Sequence, residues 1–75
     1  MAILLDFSKV REDPREIEYL FGYPEMDRRL AIAKATRQGR PVDGTADRNY
    51  TAVLVKIIRS WEATKTWPER GMYAA

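Results

Sequence analysis

Apolar residues alternate one-on, one-off through the first third of the chain and recur every three or four positions through the last third, so the sequence reads as strands followed by a helix. Ile3, Leu5 and Phe7 alternate with Leu4, Asp6 and Ser8, the period of a half-buried strand. Asp13-Pro14 interrupts it, and then Ile17, Tyr19, Phe21 and Tyr23 alternate with Glu16, Glu18, Leu20 and Gly22. This predicts a second strand. The intervening "REDPR" is short enough for a hairpin, so the two strands are expected to lie antiparallel.

The stretch "YPEMDRRLAIAKATRQGR" from Tyr23 to Arg40 admits both periods. Pro24 near a possible first turn, Glu25 and Asp27 beside it, the alanines and Gly39 as a cap all speak for a helix. Such a helix would hold only Met26, Leu30 and Ile32 as large apolar residues, with Ile32 turned away from the other two, and would bury little. A strand over 28–36 places Leu30 and Ile32 on one face and Ala31, Ala33 and Ala35 on the other. "PEMD" then becomes a hairpin turn led by Pro24. The strand is the reading adopted, because two hairpins followed by a helix give every apolar face a partner; the helix stands as its rival.

The run "RQGRPVDGTAD" collects Gly39, Pro41, Asp43 and Gly44 and is expected to be a loop. From about Asp47 to Thr66, Tyr50, Val53, Leu54, Ile57, Ile58 and Trp61 form an amphipathic stripe, with Lys56, Arg59 and Glu62 outside it and Val55 misplaced on the polar side. Thr45 or Asp47 can cap this helix, and Trp67-Pro68 ends it. Leu54, Ile57 and Trp61 are expected at its buried centre. The tail "WPERGMYAA" holds Trp67, Met72 and Tyr73 and is expected to fold back on the sheet or the helix. The expected fold is α+β over residues 1–75 as a single domain: a three-stranded antiparallel β-meander, then one long C-terminal helix packed on one face (βββα).

Composition adds a constraint on stability. A chain of 75 residues buries only about 60% of its unfolded surface, so packing of its aromatic side chains and association with another chain are the available supplements. Cysteine and histidine are absent, which removes disulfides and leaves a structural zinc site without its usual ligands. Neither a cofactor nor a metal is expected. "AILL" is too short for a signal-peptide core, and no run approaches the roughly 20 residues of a membrane span. The expectation is a soluble, cytoplasmic protein.

Charge is distributed unevenly. Residues 1–26 carry net −3, residues 27–41 net +4 and residues 42–75 net +1, within a total of +2. Arg28, Arg29, Lys34, Arg37 and Arg40 therefore form a candidate basic patch, able to meet phosphates or an acidic protein, although a solvated face is the commoner role of such a segment. If Ile3, Leu5, Phe7, Ile17, Tyr19, Phe21, Leu30 and Ile32 face the helix, the opposite side presents Leu4, Leu20, Ala31, Ala33 and Ala35 among Asp6, Ser8, Glu16 and Glu18. One helix covers only one side of a sheet, so this second side meets either water or another subunit.

"FGYPEMDRR" in the middle of the chain and "WPERG" near its end resemble segments of small uncharacterised proteins of actinomycete-type bacteria. The resemblance spans most of the chain and implies a bacterial source. It brings with it no activity and no site residues.

Catalytic motifs are incomplete. "VDGT" at 42–45 resembles the end of the phosphatase Asp-x-Asp-Gly-Thr motif, but Pro41 stands where the nucleophilic aspartate belongs. Asp43, Asp47 and Asn49 have calcium-like spacing, yet Gly44 is out of place and Leu54 occupies the position of the closing glutamate. Asp6, Glu16 and Glu18 could share one side of the sheet as an acid and base pair, but solvated partners for Lys9 or Arg11 are the simpler role. Ser8 has no histidine to activate it. What remains is a protein-interaction module without catalytic activity, expected to be a homodimer, using the outer sheet face or a free strand edge. The alternative is a nucleic-acid-binding accessory protein using the basic segment 28–40, with Tyr23 or Tyr50 stacking on bases. A protein partner is favoured over nucleic acid because Tyr19, Phe21 and Tyr23 are assigned to the core face.

Overall fold

The computed structural model describes residues 4–74. Five strands, β1 (Leu4–Glu12), β2 (Glu16–Gly22), β3 (Arg28–Ala33), β4 (Gln38–Pro41) and β5 (Arg70–Ala74), form one antiparallel sheet in the order β4-β3-β2-β1-β5, and the helix α1 (Arg48–Thr64) lies across one face. The fold is α+β, but the expected three-stranded meander is the centre of a wider sheet. The segment expected to be a loop supplies one edge, β4, and the tail expected to fold back supplies the other, β5.

Local chemistry explains the turns. Asp13 Oδ1 accepts from the backbone N–H of Arg15 at 2.8 Å and of Glu16 at 2.7 Å, an Asx turn that closes the β1–β2 hairpin. Register slips by one residue between Lys9 and Arg11, a bulge that leaves Val10 exposed and brings Lys9 and Glu12 within 2.9 Å of each other. The third strand ends at Ala33 instead of Thr36: Arg37 adopts a left-handed φ of 58° and donates its N–H to Ala33 O at 2.7 Å, which reverses the chain into β4. Ala35 consequently sits in a turn rather than on a sheet face.

The sheet carries Leu5 and Phe7 of β1, Ile17, Tyr19 and Phe21 of β2, and Leu30 and Ile32 of β3 on its inner face, where they meet Tyr50, Val53 and Ile57 of α1. Ile3, assigned to the same face from its alternation, lies outside the described residues. Val53 and Ile57 are the fully buried helix residues, whereas Leu54 packs partly exposed against the core. Trp61 is also partly exposed and stacks on Trp67 with ring centroids 5.6 Å apart. The expected centre is thus displaced by one residue, because the helix axis directs Leu54 toward β4. There a Cβ on Gly39 would come within 2.6 Å of Leu54 Cδ1. On the opposite edge a Cβ on Gly71 would come within 2.6 Å of the Phe7 ring. Glycine at these inward positions of both edge strands lets neighbouring side chains close over the sheet margins.

Asp47 begins the helix as expected, accepting the Tyr50 N–H on Oδ1 at 3.0 Å. The helix ends at Thr64, two residues short of the expected boundary, with Lys65 in the left-handed region at φ 59° and its N–H on Trp61 O. The following turn returns the tail to the sheet, where Tyr19 donates its hydroxyl to Pro68 O at 2.7 Å and β5 pairs with β1 from Leu4↔Ala74 to Ser8↔Arg70.

Candidate interaction surface

The outer face of the sheet, away from α1, divides into two halves. Across one half, Arg40, Ala31 and Glu18 follow one another in register, with Arg11 beyond Glu18. Arg11 pairs with Glu18, with Glu16 at 2.7 Å and with Asp13 at 2.6 Å; Arg40 reaches Glu16 at 3.2 Å and Arg29 reaches Glu18 at 3.8 Å. The hydrogen bonds that Arg11 donates to Glu18 and Asp13 raise its pKa above the ordinary value. Hydrogen bonds from the Arg15 and Glu16 amides, then from the Arg11 side chain, lower that of Asp13. Ala31 is covered by this lattice and only 1% exposed, and Ala33 beside Glu16 is half-buried.

The other half is the more apolar one, although Asp6, Ser8 and Arg70 stand within it. Leu20 lies in register with Ser8, which is paired on its far side with Arg70; the next row is Gly22, Asp6 and Met72; Leu4 and Ala74 follow. Met72 is 52% exposed and Met26, in the β2–β3 turn, 38%. Together with Asp6, Ser8 and Arg70 they line one shallow open depression. Of the five residues expected to form the interaction surface, the structure groups Leu4 and Leu20 with this half, sets Ala31 and Ala33 in the ion-paired half and leaves Ala35 in a turn. Met26 and Met72 were missed because one was read as turn and the other as tail.

The candidate basic residues do not form one patch. Arg28 points to the inner face, with its guanidinium 4.8 Å from the Phe21 ring centroid; it bonds Asp43 at 2.9 Å, Asp47 at 2.8 Å and Thr45 O at 2.9 Å. Those contacts raise its own pKa, the hydrogen bonds it donates to Asp43 and Asp47 being the main cause, and hold both carboxylates below their ordinary value. Lys34 binds Glu12 at 2.5 Å, Arg29 and Arg40 belong to the outer lattice, and Arg37 stands over Trp61 at 4.8 Å. The alternation of side chains along short strands separates what a rod-like helix would have gathered.

Basic side chains without an ion pair among the described residues occur elsewhere, including Lys56, Arg59 and Arg70. Lys56 and Arg59 line a groove between α1 and β5 with Val55, Ser60, Tyr73 and Ala74. Val55, out of place on the helical wheel, is 42% exposed here. The three carboxylates considered as an acid and base set do not converge: Glu16 and Glu18 belong to the lattice, while Asp6 sits beside Met72.

No protein-family model, curated protein or solved structure matches the chain.

Proposed function

We propose that the chain is a protein-interaction module that acts by binding rather than catalysis, and that it self-associates through the apolar half of its outer sheet face. The carrying observation is the exposure of Met26 and Met72, which share one depression with Asp6, Ser8 and Arg70 on the side of the sheet that α1 does not cover, Leu4 and Leu20 standing at nearby register positions of β1 and β2. Methionine fills irregular apolar contacts with little strain, and a domain this small gains from burying a second apolar surface. The ion-paired half supports the same reading, since a two-fold contact then has a polar border. Four of the five residues of the basic segment are engaged by carboxylates, which favours a protein partner over phosphates.

Light scattering at about 100 μM, a concentration at which mass action populates weak dimers, is expected to return twice the mass of one chain. Met72→Glu is expected to return the monomer mass with an unchanged circular dichroism spectrum. A wild-type protein that is cleanly monomeric at this concentration overturns self-association.

A further inference from the structure

The two edges of the sheet differ in what they offer to another strand. In an antiparallel ladder, residues of hydrogen-bonded pairs turn their N–H and C=O toward the partner strand and the alternate residues turn theirs away. On β4, the Val42 N–H bonds Arg29 O at 3.0 Å. With the β3–β4 register, this assigns Gly39 and Pro41 to the free edge. Pro41 has no N–H, so the edge carries a single donor and is blunted as natural edges often are. On β5, the Lys9 N–H bonds Glu69 O at 2.7 Å. The β1–β5 register then commits Gly71 and Tyr73 to β1 and turns the N–H and C=O of Arg70, Met72 and Ala74 outward. Among the described residues none of these three meets another strand. This edge holds three donors and three acceptors in strand spacing, with no proline and no bulge.

Cations border this edge on both sides. On the inner side, Lys56 and Arg59 stand over the groove that a strand added to β5 would fill, with Val55 and Tyr73 beside them; on the outer side lies Arg70. A second copy of the chain paired through β5 would bring two sets of these cations together, which like-charge repulsion opposes. We infer that the β5 edge is a docking site for an extended acidic segment of another protein, added as a sixth strand with acidic side chains facing Lys56 and Arg59 and apolar ones flush with Met72 on the outer face. Backbone hydrogen bonds would supply affinity and the alternating side chains selectivity. The backbone groups of the β5 margin and the inner groove with Lys56 and Arg59 lie apart from the outer face proposed for self-association, and Met72 borders both.

The test uses the full ¹⁵N-labelled chain and a fluorescein-labelled peptide of about nine residues alternating Glu and Val, long enough to span a strand of this length. The peptide is expected to slow hydrogen exchange of the Arg70, Met72 and Ala74 amides while leaving Gly71 and Tyr73, already bonded to β1, unchanged. Lys56→Glu combined with Arg59→Glu is expected to weaken binding at least about tenfold, with melting temperature and self-association as in wild type. A peptide with Lys for Glu is expected to bind at least as weakly. Protection that appears elsewhere, equal binding of the two peptides, or unchanged affinity of the double variant overturns the proposal. So does an oligo-dT strand that binds more tightly than the Glu–Val peptide, an outcome that would assign the groove to nucleic acid.

Discussion

Arg28 shows how a single side chain changes meaning between sequence and structure. In the sequence it opens a basic run; in the fold it ties the 43–47 loop and the helix cap to the inner face of β3. Arg28→Met keeps the stem that covers Phe21 and removes the charged hydrogen bonds. The expected cost is about 1–2 kcal/mol, the lower part of the range for bonds to charged groups because the site is partly solvated, measured by urea unfolding at pH 7. Asp43 and Asp47 both have pKa values lowered from 3.8 in the folded protein, with the Arg28 hydrogen bond as the leading cause. Their contribution is therefore fully present above the unfolded value and is lost as pH falls through the lowered ones. The stability gap between wild type and Arg28→Met should be constant near neutral pH and should narrow below about pH 3.8. A gap that stayed constant in acid would show that Arg28 acts through its contact with the Phe21 ring and not through the two carboxylates.

Among the elements, α1 and the edge strands make the sharpest tests. Ile57 is fully buried, and Ile57→Ala is expected to cost about 2–5 kcal/mol, comparable to the whole stability of so small a domain. Leu54→Ala should cost less, because Leu54 is partly exposed at the β4 margin. Thermal melts followed by circular dichroism rank the two, and the reverse order would place the helix in a different rotation. The glycines offer a second comparison. At Gly71 a methyl group meets the ring of Phe7, which is itself buried, whereas at Gly39 it meets the end of the half-buried Leu54 side chain. Gly71→Ala is therefore expected to lose about 1–3 kcal/mol as an overpacked site, and Gly39→Ala to melt closer to wild type.

For the whole molecule, the closing of the tail onto β1 matters most. Without β5, strand β1 would have an open edge, Phe7 would lose its cover at Gly71, and the Tyr19 hydroxyl would lose the Pro68 carbonyl if the deletion reached that far. A chain ending at Glu69 retains that carbonyl but loses the β1–β5 ladder. It is expected to melt well below the full chain, because the β1–β5 ladder and the cover of Phe7 at Gly71 are both lost. Equal melting temperatures would mean that the tail is an addition to a core already complete. The same strand borders both proposed contacts, its outer face lying in the half proposed for self-association and its free margin in the site proposed for an acidic strand.

Much of this architecture was legible in the sequence. Period-two alternation identified β1, β2 and their inward residues from Leu5 to Phe21, because a wrong register would turn Phe7, Tyr19 and Phe21 to water; Tyr23, assigned to the same face, lies past the end of β2 and is 57% exposed. The three-four spacing and Asp47 identified α1. Even the choice of strand over helix at Leu30 to Ala33 followed from asking which form gave the apolar residues something to bury. The edges were not legible, for a physical reason common to both. Gly39 and Gly71 stand where an inward apolar residue would have completed the alternation, and each is glycine because a side chain from another element occupies that space. The surfaces followed the same logic. Sequence order gathered the basic residues into one segment, whereas strand pleating and the partners brought near by folding separated them, and Lys56, Arg59 and Arg70 came to border an edge strand that only the tertiary structure creates.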